Sequence, residues 1–154
     1  MSLFDDIMGS SLMMEASTET HMIRDAIYPQ VEKTLSTPKG NREFREAVRK
    51  FIDKNHANLY TSGPVNMVAF TDMDKKAFFD IFDMDENGVK KVITEMTKTV
   101  NDKANWRLMR QNPIFCLFYE CIRYYTLKKD TSGVNTALAI YALSVYPSVF
   151  SVSF

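Results

Sequence analysis

Pro113-Ile-Phe-Cys-Leu-Phe-Tyr-Glu-Cys-Ile-Arg-Tyr-Tyr-Thr-Leu-Lys-Lys129 is the stretch on which the reading of the whole chain turns. Wound as a helix, it sets Ile114, Phe115, Leu117, Phe118, Tyr119, Ile122, Tyr124, Tyr125 and Leu127 on almost every side. A helix that is apolar all round belongs at the centre of a bundle or inside an assembly, because no face of it tolerates water. Pro113 is placed for a first helical turn, and Lys128 and Lys129 suit the negative end of the helix dipole. Cys116 and Cys121 lie five residues apart in this run, about 140° around a helix, so their thiols point apart. They lack Cys-x-x-Cys spacing and read as two buried thiols acting as small hydrophobes, which fits a reducing compartment.

Working towards the N-terminus, helical periodicity dominates. Val89, Val92, Ile93, Met96 and Val100 form one stripe, with Lys90, Lys91, Glu95 and Lys98 facing out. A short helix around Trp106 is expected between Asp102 and Arg110. Thr71-Asp-Met-Asp74 has the form of a helix start, with Thr71 as N-cap and acids in the first turn. The helix it opens turns Phe78, Ile81 and Phe82 inward and ends near Asp83. Val65–Phe70 is a short apolar stretch compatible with strand or helix. From about Asn41 to Asn58, Phe44, Val48, Phe51 and Ile52 make an apolar face, and Arg42, Glu46, Arg49, Lys50 and Asp53 a charged one. Ser36-Thr-Pro-Lys-Gly40 breaks the chain before it. Ile23, Ile27, Val31 and Leu35 recur in steps of four, and Pro29 among them predicts a kink or a fresh helix start. Leu3, Phe4, Ile7, Met8 and Leu12 fall at helical spacing in a segment weakened by Gly9-Ser-Ser11.

Beyond Asp130 the 24 residues 131–154 carry no Asp, Glu, Lys or Arg. Thr136–Tyr146 suits a helix that Pro147 ends, and Phe150, Val152 and Phe154 then alternate with Ser151 and Ser153 as in a strand. The uncharged run Ala137–Phe154 has the length of a membrane span, but a helix stopped at Pro147 falls short of a bilayer, so a buried segment is the expectation. An apolar end of this kind should close onto its own fold, pair with a neighbouring chain, or continue into a longer polypeptide.

The fold expected is therefore mainly α: a single bundle-like domain over 1–154 of six or seven helices, with a short strand at the C-terminal end. The composition agrees, with 45% apolar residues, 5 Gly and 5 Pro, which excludes disordered and collagen-like chains. The 19 basic and 19 acidic residues balance, excluding an overall polycation. By segment the charge is −3 over 1–40, +2 over 41–63, −4 over 64–88 and +5 over 89–130, and the last allows a local phosphate-facing stripe. Its basic residues are scattered among helices, however, and mutual neutralisation with the acidic segment is the simpler reading.

The sharpest chemical pattern is Phe78-Phe-Asp-Ile-Phe-Asp-Met-Asp-Glu-Asn-Gly88, which resembles the first half of an EF-hand. Asp83, Asp85 and Asn87 stand at the places of loop ligands 1, 3 and 5, and Gly88 at the turn glycine. The resemblance covers about eleven residues and fails downstream, where Lys90 replaces the apolar eighth residue and Thr94 the bidentate glutamate, Glu95 coming one residue late. An acidic helix–helix turn is the plainer expectation, with Asp85 or Asn87 capping the next helix and Gly88 in an unusual dihedral. The other Asp-Met-Asp triplet, Asp72–Asp74, lacks the α/β scaffold that a nucleotide-sugar site needs. His21 and His56 sit in no metal or catalytic motif, the glycines form no phosphate loop, and no nucleophile elbow occurs. No catalytic residue, metal ligand or cofactor site is assigned.

These observations favour a non-enzymatic structural or assembly module. Phe115, Phe118, Tyr119, Tyr124, Tyr125 and segment 131–154 are expected to bury against other chains, of the same or another kind, and ten methionines add adaptable apolar surface. A viral (phage) particle component is one form such a module takes, though no residue motif identifies it. The alternatives are a regulatory helical module using the Asp83–Gly88 loop and a nucleic-acid-associated protein using 89–130. The acidic N-terminus and the absence of an Asn-x-Ser/Thr sequon point to the cytoplasm, or to a particle assembled there.

Overall fold

Thr37, Thr71, Asp85 and Asp130 set the helix boundaries, each through a side-chain oxygen that accepts a backbone N–H three residues on. The computed structural model describes residues 18–55, 70–98 and 109–153, with side chains within 25–55, 70–98 and 109–144. The described helices are α1 (Thr18–Leu35), α2 (Pro38–Lys54), α3 (Asp72–Ile81), α4 (Glu86–Thr97), α5 (Ile114–Leu127) and α6 (Thr131–Ser153). Residues 109–111 are also helical, and no strand occurs among the described residues. The mainly α expectation holds.

α1 buries Ile27, Val31 and Leu35, the stripe read from the sequence. Of the kink or fresh start expected at Pro29, the fresh start does not occur, and the helix continues through the proline. Pro29 lies on the exposed face, where the missing N–H costs least. α2 begins at Pro38, three residues before the expected Asn41. Thr37 is extended (φ −90°, ψ 142°), as a residue before proline prefers, and its Oγ1 accepts from Gly40 N–H at 3.0 Å. Phe44, Val48 and Phe51 are buried, Ile52 is half-buried, and the predicted charged face is exposed.

α3 opens with a reciprocal capping box. Asp74 N–H donates to Thr71 Oγ1 (3.1 Å), and Thr71 N–H donates to Asp74 Oδ2 (3.0 Å). Burial pushes the Asp74 carboxyl up, but hydrogen bonds from Thr71 and Lys54 outweigh it and hold it below its usual value. α3 buries Phe78, as expected, and also Phe79, and its C-cap Phe82 is fully buried. α4 carries Val89 and Ile93 inward, and Lys90, Lys91, Glu95 and Lys98 are exposed.

α5 is the centre of the bundle. It packs against α1, α3 and α6, and α2 packs against α1, α3 and α6 on the other side. Every α5 residue from Ile114 to Tyr125 is buried except the half-buried Arg123. Phe118 makes an edge-to-face contact with Phe78 (4.9 Å, 87°), and Phe44 lies 5.7–6.4 Å from Phe78, Phe82, Phe118 and Tyr125. Phe51 stacks on Phe70 at 4.2 Å. Buried side chains from α1 to α6 join in one continuous cluster.

α6 folds back along α5, burying Ala137, Ile140, Tyr141 and Ser144. The helix does not stop at Pro147 but continues to Ser153, so residues 148–153 of the strand expected at 148–154 are helical. A proline removes one i to i−4 hydrogen bond and not the whole ladder. A lone alternating segment, moreover, has no strand to pair with among the described residues. The stripe at 3–12, the stretch from Val65 to residue 69 and the helix around Trp106 lie outside the described residues.

Candidate functional site

The two acidic triplets turn out to be helix-boundary devices. Asp83 follows the α3 C-cap with φ 55°, where Asp83 N–H donates to Asp80 O and Met84 N–H to Phe79 O, both at 3.0 Å. That pair of bonds is a Schellman ending, so the positive φ expected of Gly88 falls on Asp83. Asp85 is the N-cap of α4, its Oδ2 accepting from Gly88 N–H at 3.1 Å. Asn87 and Gly88 therefore lie inside the first turn of α4, and no calcium loop is formed around them. Asp72 and Asp74 belong to the first turn of α3. Among the described residues, no three His, Cys, Asp or Glu side chains come together as a metal cluster.

A second Schellman ending joins α5 to α6. Lys129 takes φ 56°, Lys129 N–H donates to Thr126 O, and Asp130 N–H donates to Tyr125 O. Asp130 then caps α6 through Oδ1 to Gly133 N–H (3.0 Å), while its Oδ2 pairs with Arg45 at 2.8 Å. Arg45 also donates to Ser132 Oγ (2.6 Å) and Asn41 Oδ1 (2.8 Å), and the latter accepts from Tyr125 O–H at 2.8 Å. Arg45 lies over the Tyr125 ring at 5.1 Å. This network ties α2, α5 and α6 together.

The sequence carries a signal for these junctions. Thr37-Pro-Lys-Gly40, Asp85-Glu-Asn-Gly88 and Asp130-Thr-Ser-Gly133 are three copies of one pattern, a capping oxygen followed three residues later by glycine. At Gly40 and Gly133 the preceding helix passes so close that a Cβ would collide with Thr34 or with the Tyr125 ring. At Gly88 a Cβ would meet only Asp85 atoms at 3.8 Å.

The five aromatics expected to meet partner chains are used inside this one. Phe118 packs on Phe44, Phe70 and Phe78, while Phe115 and Tyr119 face Tyr141. Tyr124 and Tyr125 contact each other edge to face. They are 0–8% exposed because α1, α3 and α6 cover α5. Burial pushes the Tyr125 hydroxyl well above its usual value, and the free thiols of Cys116 and Cys121 likewise. Thiols so placed behave as packing groups and not as nucleophiles. Arg123, drawn down by burial, pairs inside the protein with Glu120 at 2.9 Å and donates to Tyr119 O–H at 3.2 Å.

The basic stripe of 89–130 likewise disperses. Arg123 is paired with Glu120, Arg110 donates to Thr97 Oγ1, Lys90 and Lys91 lie exposed on α4 and Lys98 at its C-cap, and Lys128 and Lys129 close α5. Lys103 and Arg107 lie outside the described residues, as does His56, and the side chain of His21 does also.

Two grooves flank α2. One, of about 410 Å³, runs between α2 and α3 over Ala47, Phe51, Phe78 and Ile81, rimmed by Glu43, Glu46, Lys50 and the Lys54–Asp74 ion pair (3.1 Å). The other, of about 300 Å³, lies between α2 and α6 and includes Arg45, Arg49, Asp53, Ser132 and Thr136. Neither is lined by His or Cys, and in the second Thr136 Oγ1 donates to Ser132 O.

What stands out geometrically is the length of α6. Its 23 residues span about 34 Å, whereas the 14 residues of α5 span about 21 Å. Asn112, just before α5, donates from Nδ2 to Ser144 O at 2.8 Å, so α6 is level with the start of α5 at Ser144. Residues 145–153 then run roughly 14 Å further as helix, without one Asp, Glu, Lys, Arg or His. Among the described residues, no helix is long and apolar enough to cross a membrane. No protein-family model matches the chain, and no curated protein or solved structure matches it either.

Proposed function

We propose that the chain is a non-enzymatic assembly module, and that the surface it offers to other chains is the uncharged end of α6. The reading is supported by one observation above all: α6 outruns α5 by nine residues that contain no charge. The aromatic helix serves this function indirectly, as the rigid core on which α6 is mounted. The cap and ion pair at Asp130 fix where α6 starts, and the buried Ala137, Ile140 and Tyr141 fix its direction. An interface that carries no charge associates through apolar burial, so it resists salt where a phosphate-binding surface would release. A particle component is one setting in which such a module works.

Light scattering coupled to size exclusion tests the reading. The chain should run above its 17.8 kDa monomer mass in both low and high salt, and Val149→Asp should return it to the monomer. A monomer at every concentration would overturn the proposal.

A further inference from the structure

We draw no further inference here: the strongest candidate, the apolar groove of about 410 Å³ between α2 and α3 over Ala47, Phe51, Phe78 and Ile81, carries none because nothing in the structure shows what covers it.

Discussion

Replacing glycine by alanine at the third residue of two helices should move stability in opposite directions. Gly88 and Gly133 are chemically the same position: each follows a capping aspartate by three residues and donates its N–H to that carboxylate at 3.0–3.1 Å. In open helical positions alanine is favoured over glycine by roughly 0.5–1 kcal/mol. At Gly88 the new methyl group touches only Asp85 atoms at 3.8 Å, ordinary contact, so most of that gain should appear. At Gly133 it would enter the Tyr125 ring, which has no exposed surface and is held by its hydroxyl on Asn41. Forcing a methyl group into a packed core costs about 1–3 kcal/mol, which exceeds the propensity gain, so Gly133→Ala should lose about 1–2 kcal/mol net. Urea unfolding followed by far-ultraviolet circular dichroism measures both variants on one scale. If Gly133→Ala proved as stable as the parent, the close approach of α6 to α5 would be wrong. A destabilised Gly88→Ala would restore the glycine to a special turn and reopen the calcium-loop reading.

The Arg45–Asp130 ion pair is partly exposed, so a double-mutant cycle with alanine at each position should give a coupling of about 0.5–1 kcal/mol; zero coupling would remove Arg45 as a tie between α2 and α6. Asp130→Ala alone should cost more than Arg45→Ala, since it also deprives Gly133 N–H of its cap. In alkali, the buried thiols and Tyr125 stay protonated in the fold while the unfolded chain ionises. Stability should therefore be complete below the unfolded thiol pKa of about 8.5 and fall above it, by about 1.4 kcal/mol per pH unit for each thiol. Unfolding midpoints that stay level between pH 8 and 10 would mean that Cys116 and Cys121 reach water.

Where periodicity and capping chemistry act locally, the sequence was legible. The faces of α2 and α4 and the Thr71 start of α3 are fixed by residues three or four apart, and each was readable without knowing the rest of the fold. The start of α2 was misplaced because Thr37-Pro38 was read as a breaker, although a threonine before a proline is equally a cap followed by a first turn. The role of the glycine in the threefold cap-x-x-Gly pattern is not local, since at Gly40 and Gly133 it lets a neighbouring helix approach. Partner contacts were a harder matter. Phe115, Phe118, Tyr119, Tyr124 and Tyr125 demand burial, but burial by α1, α3 and α6 satisfies that demand as fully as burial by another chain. The end of α6 illustrates the reverse limit. Alternation over seven residues and a proline favour a strand locally, yet a strand needs a partner, whereas a helix supplies its own hydrogen bonds.

Amide hydrogen exchange read peptide by peptide, on dilute and concentrated samples, probes the central claim most directly, because it observes the core helix and the end of α6 together. The account predicts that α5 exchanges slowly at every concentration, while peptides covering 145–153 become protected only as concentration rises. Protection of 145–153 that does not change with concentration, or an α5 whose protection does, would contradict it.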